Sequence, residues 1–172
     1  MTPEQATFLL NDIYLPQIRH EHTTTRRVIQ AVPADQGAFK PDPKSMGALE
    51  LAWHIASAEP FFMNGIVQGK FTPDGSSMPE SIKTPADVVK WYDENFAAAV
   101  AQLAQVKGED LVRPIDFFGM FNLAGIEYAG LMCSHAIHHR GQLSSYLRPM
   151  GAKVPQIYGP SGDEPMTVPA TA

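Results

Sequence analysis

The chain has 172 residues, of which 44% are hydrophobic and 18% charged, and its formal net charge is −5. That length supports one domain with a substantial core. An acidic chain without a basic run lacks the electrostatic footprint expected for binding nucleic acid or anionic membranes. Its only cysteine is Cys133, which excludes an internal disulfide and a cysteine-based zinc motif.

The N-terminal stretch lacks a basic start followed by an apolar core, so it does not resemble a secretion signal. No run approaches the roughly 18 apolar residues that a membrane helix needs. A single cysteine also suits a reducing compartment. We therefore expect a cytoplasmic protein. As its partner we expect a small-molecule substrate.

The first predicted helix begins near Thr2, which can serve as the N-cap, with Pro3 at the first helical position and Gln5 completing a capping box. Pro16 falls inside this helix and should kink it or shift its start. The inward stripe consists of Phe8, Leu15, Ile18, Ile29 and Val32, with His22 and Thr25 on the same face and His20 and Glu21 off it.

The second predicted helix follows a proline-rich loop at 33–44 and runs from an N-cap at Ser45 to about Gln68. His54 faces inward among small and apolar residues. Pro60 should bend the helix just beyond it. The inward stripe, at steps of three and four, consists of Gly47, Leu51, His54, Ala58, Phe61 and Gly65.

The third predicted helix has the clearest start in the chain. It follows a loop at 69–83, and it places Thr84 at the N-cap, Pro85 at the first position and Asp87 at the third. The helix should end around Gly108, a residue type common just after a helix. Its stripe consists of Val88, Tyr92, Phe96, Ala99, Leu103 and Val106.

A connector at 109–121, with a short extended piece at about 111–118, leads to the fourth predicted helix. Asn122 can cap this helix, which should end near Pro149. Four helices of useful length joined by long loops predict an all-α four-helix bundle.

The core-forming part of the sequence ends near residue 150. We therefore expect a single domain over residues 1–150 and an irregular C-terminal tail over 151–172, loosely ordered after Gly159.

The fourth helix carries two histidines four residues apart, His135 and His139. On a helix this spacing projects both imidazoles from one face, where they can bind one metal ion. His54 adds an inward histidine from a second helix, and a buried histidine that is neither paired nor ligated is costly. Three histidines plus an open position is the usual layout of a catalytic zinc centre, although imidazoles also suit nickel, copper and iron. The sequence lacks the Glu-x-x-His pairs of di-iron bundles, so we expect one metal.

Other residues near this stripe are weaker candidates. Gln142, one turn beyond His139, can bond a metal-bound water or substrate, and Tyr146 continues the same face. His22 can line the pocket or satisfy a core hydrogen bond. Glu59 is a still weaker candidate for the site. The remaining residues are assigned to packing, the surface or a close helix contact: Cys133, His138, Arg140 and Gly141.

Residues 49–59, LELAWHIASAE, together with 135–143, HAIHHRGQL, resemble the DinB/YfiT-like superfamily of bacterial four-helix bundles. The resemblance covers roughly residues 5–150. It implies one divalent metal on His54, His135 and His139, and it implies a homodimer. The family is named for induction by DNA damage, a form of regulation that implies no DNA binding. Characterised members include metal-dependent thiol S-transferases and a mycothiol-dependent maleylpyruvate isomerase.

Three functions follow from these observations. The leading hypothesis is an enzyme in which a divalent metal, zinc or nickel before iron, copper or manganese, activates a low-molecular-weight thiol. The second is a hydrolase that uses metal-bound water, although no glutamate lies beside the histidine pair to act as general base. The third is a non-catalytic, stress-linked metal-binding protein, which a fourth protein ligand such as His22 would favour.

Overall fold

The protein is described here by a computed structural model that covers residues 1–73 and 77–166. Four long helical segments form the predicted bundle. A short helix and a small hairpin lie between the third and the fourth, and a 3-10 turn follows the fourth. In chain order the elements are α1 (Pro3–Phe8), a π-helical segment (Leu9–Tyr14), α2 (Leu15–Gln30), α3 (Ala48–Gln68), α4 (Pro85–Leu103), α5 (Gly108–Leu111), β1 (Pro114–Phe117), β2 (Phe121–Ala124), α6 (Gly125–Leu147) and a closing 3-10 turn (Arg148–Met150).

The first helical segment shows how Pro16 is accommodated. Proline has no amide hydrogen, and its ring clashes with the carbonyl four residues earlier in a regular α-helix. The backbone widens into the π segment just before it, where the Leu15 amide bonds to the Leu10 carbonyl, five residues back. The wider turn shifts the phase of the helix, so Phe8 is 57% exposed and its predicted inward position is wrong.

Two predicted N-caps, Ser45 and Asn122, are wrong. α3 begins at Ala48 after Gly47, whose N–H donates to Glu50 Oε2 at 3.1 Å. α6 begins in the same way. Its N-cap, Ala124, has no side chain that can cap the helix, and the Ala124 N–H donates to Glu127 Oε2 at 2.8 Å. In both helices a carboxylate reaching back replaces the side-chain cap.

The predicted cap of α4 is confirmed, since Thr84 and Asp87 form a reciprocal capping box. The helix ends at Leu103 rather than near Gly108, which instead begins the short helix α5. The predicted extended piece is present as β1, which pairs with β2 in an antiparallel hairpin. Phe118 turns this hairpin with a φ of 54°.

The four long helices are arranged so that sequence neighbours are not all spatial neighbours. α2 and α3 each pack against both α4 and α6, so α2 lies diagonally across the bundle from α3. The long loop at 31–47 makes this diagonal crossing. The arrangement places α3 directly beside α6, which puts His54 next to the histidines of the fourth long helix. Among the described residues no helix is both long and apolar enough to span a membrane.

The tail from residue 151 to 166 has no regular structure, as predicted, but it is held against the bundle. Ser161 Oγ donates to the Val154 carbonyl at 2.6 Å, and Arg27 pairs with Glu164 at 2.6 Å. The Arg27–Glu164 pair joins the tail to α2, and the expectation of loose order beyond Gly159 stays a prediction. Residues 167–172 lie outside the described chain, and the division at residue 150 stays a prediction.

Candidate metal centre

The packing of α3 on α6 brings together the three histidines that the sequence singles out. His54 Nε2 lies 3.1 Å from His135 Nε2. One nitrogen from each of His54, His135 and His139 lies within 4.8 Å of the others. All three side chains are half-buried, so the cluster is partly sheltered from solvent.

The distance between two of these nitrogens fits a shared divalent cation. Zinc–nitrogen bonds are about 2.0–2.1 Å long, so two nitrogens at tetrahedral positions lie about 3.3 Å apart. The 3.1 Å between His54 and His135 is close to that value. Two imidazole lone pairs facing each other repel unless a cation or a shared proton lies between them. The donor set therefore fits zinc, nickel, copper or iron without selecting one.

Burial and neighbouring imidazoles lower the pKa values of two of the three histidines. Burial lowers the pKa of His135 to about 4, and the neighbouring His139 and His54 add to that effect. Burial also lowers the pKa of His54, with His139 as the next cause. Neutral imidazole is the form that ligates a metal. Both side chains therefore have free lone pairs at neutral pH.

Gln142 and Tyr146 extend a chain of hydrogen bonds away from the cluster. Gln142 Oε1 lies 3.0 Å from His139 Nδ1, and Gln142 Nε2 donates to the Tyr146 hydroxyl at 3.3 Å. An amide oxygen accepts only, so it holds the proton of His139 on Nδ1 and leaves Nε2 free for a metal. Gln142 thus bonds to His139 itself, and its predicted bond to metal-bound water or substrate stays a prediction.

The structure does not bring His22 into this cluster. Its ring stacks on Phe96 of α4 with centroids 3.9 Å apart, and its Nε2 lies 3.3 Å from Asp93 Oδ1. Burial lowers its pKa. This position favours the reading of His22 as a core histidine over a fourth ligand. His138 is exposed beside His139, as predicted for a surface residue.

A buried ion pair joins α2 and α6, and the sequence did not predict it. Arg140 is 1% exposed, so its assignment to the surface is wrong. Its guanidinium bonds to Glu21, which is also buried, and to the hydroxyl of Tyr158 in the tail. The assignment of Glu21 to a position off the inward face is therefore wrong, since it lies three residues after Ile18 and four before Thr25, which are both buried. Gly141 has no atom within 4 Å of the position a Cβ would take, so its predicted close helix contact is also wrong.

Glu59 occupies a second buried polar position in the bundle. The Tyr92 hydroxyl donates to Glu59 Oε2 at 2.7 Å, while Oε1 has no partner in the described part of the chain. Burial raises the pKa of Glu59 to about 7. Burial likewise raises the pKa of Cys133 to about 12, which leaves this thiol protonated and confirms it as a packing residue.

Glu59→Gln is expected to raise the free energy of unfolding at pH 8 by up to about 3 kcal/mol and to change it little at pH 4.5. The folded-state pKa of about 7 lies above the ordinary glutamate value of 4.5, so this carboxyl favours the folded state below pH 4.5 and the advantage is lost as pH rises through 7. Glutamine has nearly the same side-chain shape as glutamate but carries no ionisable group. Urea denaturation at both pH values tests this against Glu94→Gln, an exposed control; equal pH dependence in both variants would contradict it.

The bundle and the three-histidine cluster between α3 and α6 define a class, the four-helix bundles with a candidate mononuclear metal centre. The chain belongs to the DinB family, whose family model matches residues 7–167. It is 31% identical over 143 residues to the uncharacterized protein YjoA of Bacillus subtilis, covering 82% of this chain and 90% of YjoA. The crystal structure of YjoA superposes with a TM-score of 0.70 at 29% identity, covering 84% of this chain and 96% of that one.

Two more distant solved structures share the fold. YfiT from Bacillus subtilis, described as a probable metal-dependent hydrolase with an unusual four-helix bundle topology, matches with a TM-score of 0.67 at 14% identity over 83% of this chain and 88% of YfiT. The mycothiol-dependent maleylpyruvate isomerase matches with a TM-score of 0.59 at 12% identity over 77% of this chain and 60% of that one. At these identities the likeness concerns the fold alone.

Proposed function

We propose that the protein is a metal-dependent enzyme in which His54, His135 and His139 hold one divalent cation and a low-molecular-weight thiol is transferred to an electrophile. The observation that supports this is the convergence of three half-buried imidazoles, two of them with lowered pKa values. A divalent cation held there would favour the thiolate form of a coordinated thiol. The cluster contains no fourth protein ligand among the described residues, which suits an open coordination position.

The residues of this chain would orient the reaction rather than supply its nucleophile. The sulfur of the incoming thiol loses its proton to solvent and forms a bond to an electrophilic carbon. With an epoxide, the carbon–oxygen bond breaks and the oxygen takes up a proton from water. Cys133 is buried with a pKa of about 12, so it does not compete as a nucleophile. Gln142 would hold the ring of His139 in one tautomer.

A hydrolase that uses metal-bound water is the second candidate, favoured by the description of YfiT. Its difficulty is the general base, because no carboxylate joins the histidine cluster in the described chain. Glu59 is buried against Tyr92 instead. A purely structural metal would need a closed ligand shell, and His22 lies in another interface.

Thiol transfer is tested with untagged protein loaded with zinc or nickel and incubated with glutathione, cysteine or coenzyme A and with styrene oxide or an activated alkene. We expect a conjugate above the uncatalysed rate, detected by mass spectrometry, that requires the metal. A metal-loaded protein that forms no conjugate across this panel would contradict the proposal. Hydrolysis of an added ester without thiol would favour the second candidate. Analytical ultracentrifugation of the same sample tests the expected homodimer. The cytoplasmic location stays a prediction.

A further inference from the structure

We infer that a cavity between α3 and α4 binds the non-reacting part of the substrate, and that this part is a small organic anion with amide or hydroxyl groups. The identity of the ligand as a thiol rests on the proposed function, whereas the cavity and its preference for an anion do not. The cavity has a volume of about 250 Å³. This volume suits a fragment of a small molecule, since whole ligand sites begin near about 300 Å³.

Aromatic rings form the wall of this cavity. Phe61, Phe71 and Trp91 line it, and each ring is half-buried, so part of its apolar surface faces the space. Gly65 makes the wall possible, because a Cβ at this position would lie 2.1 Å from the Phe71 ring. The ring of Phe71 also packs on Phe61 with centroids 5.4 Å apart. The wall is therefore built by tight packing, which holds the apolar surface in place.

Polar side chains surround the opening. Asn64, Gln68 and Lys70 are exposed, and within the described chain their side chains make no hydrogen bond or ion pair to another protein group. Asn95 Nδ2 donates to the Trp91 carbonyl at 2.8 Å, which leaves its oxygen as an acceptor.

The charge of the lining decides the kind of ligand. Lys70 brings a positive charge, and the described residues that line the cavity include no acid. This local charge contrasts with the net charge of −5 of the whole chain. Apolar walls with a few convergent polar groups are typical of a small-molecule site, and here those groups favour an anion.

The cavity lies further along α3, the helix that also carries His54. Ser57, which lines it, is one turn beyond His54, and Phe61 is two turns beyond, about 10 Å along the axis. An extended molecule the size of a tripeptide spans about 10 Å. Such a molecule can place its reacting atom at the histidines and its other end against Phe61 and the polar rim. The cavity would thus set the length and charge of the substrate.

The test uses untagged full-length protein and S-methylglutathione, which carries carboxylates and amides but no free thiol. Calorimetric titration should give weaker binding, by about fivefold or more, in Lys70→Met, which removes the rim charge, and in Asn64→Trp, which fills the opening. Lys44→Met is the matched control, because this exposed lysine precedes α3 and lies at the other end of the helix. Binding by Lys44→Met should match that of the parent within about twofold.

Unchanged affinity in Lys70→Met, or no binding by the parent at about 10 mM probe, would overturn the inference. The two proposals can fail separately. Lys70-dependent binding of the probe by a protein that forms no thiol conjugate would reject the reaction and keep the cavity. Conjugate formation with a thiol KM that neither cavity variant changes would reject the cavity and keep the reaction.

Discussion

Arg140→Met is expected to lower the free energy of unfolding by about 3–5 kcal/mol, because it leaves the carboxylate of Glu21 buried without a cation. Arg140 is 1% exposed and Glu21 is 5% exposed, so solvent cannot replace the lost partner. The guanidinium also donates to Thr25 Oγ1 at 3.3 Å and to the Tyr158 hydroxyl at 2.5 Å. A loss of this size is a large share of the stability of a typical domain, which is about 5–15 kcal/mol.

Guanidinium denaturation at pH 7 measures this loss, and two further variants assign it. Arg148→Met breaks a pair with Asp163 in which the arginine side chain is 59% exposed, so it should cost less than about 1 kcal/mol. Adding Glu21→Leu to Arg140→Met removes the stranded charge and should recover part of the stability. A single Arg140 variant as stable as Arg148→Met would contradict the prediction.

The ion pair also links the core of the bundle to the histidine cluster. Arg140 and His139 are adjacent on α6, and successive side chains on a helix diverge by about 100°. Arg140 points toward α2 and the tail, whereas His139 points toward α3. Anchoring Arg140 on Glu21 therefore fixes the rotation of α6 that presents both of its histidines to His54.

The sequence predicted the helices well where local chemistry determines them. The capping box of Thr84 and Asp87 involves residues only three apart, so the local sequence is enough to predict it. Ser45 and Asn122 failed as caps because residues nearby offered a different solution, a carboxylate bonding back to the cap amide. The sequence did not predict the π segment before Pro16, because a helix can accommodate a proline by a bend, a break or a wider turn.

The histidine cluster was predictable in its members but not in its assembly. The spacing of His135 and His139 already shares a helix face, whereas their approach to His54 depends on α3 packing beside α6. Loop lengths did not reveal the diagonal placement of α2 and α3. Glu21 and Arg140 are 119 positions apart, so no local sequence pattern predicts that they pair. The burial of Glu21 itself is consistent with its spacing from Ile18 and Thr25, so that part of the pair was predictable although Glu21 was assigned off the inward face.

Metal binding by His135→Ala is expected to be at least about 100-fold weaker than by the parent, because two imidazoles from different helices form a far weaker site than three. Elemental analysis of untagged protein should find about one equivalent of zinc or nickel in the parent and little in the variant. His138→Ala is the matched control, since this exposed histidine is the immediate neighbour of His139 and should leave the metal in place.

Thermal unfolding with and without a chelator then separates a functional metal from a structural one. Saturation at about 100 times the dissociation constant stabilises the parent by about 2.7 kcal/mol, so chelation should lower its melting temperature without unfolding it. His135→Ala should stay folded, because the hydrophobic core of the bundle consists of apolar residues and does not include the three histidines. A variant that unfolds when the metal is lost would favour a structural site. A parent that binds no metal, even after reconstitution, would leave the three histidines as packing residues and remove the basis of both enzymatic proposals.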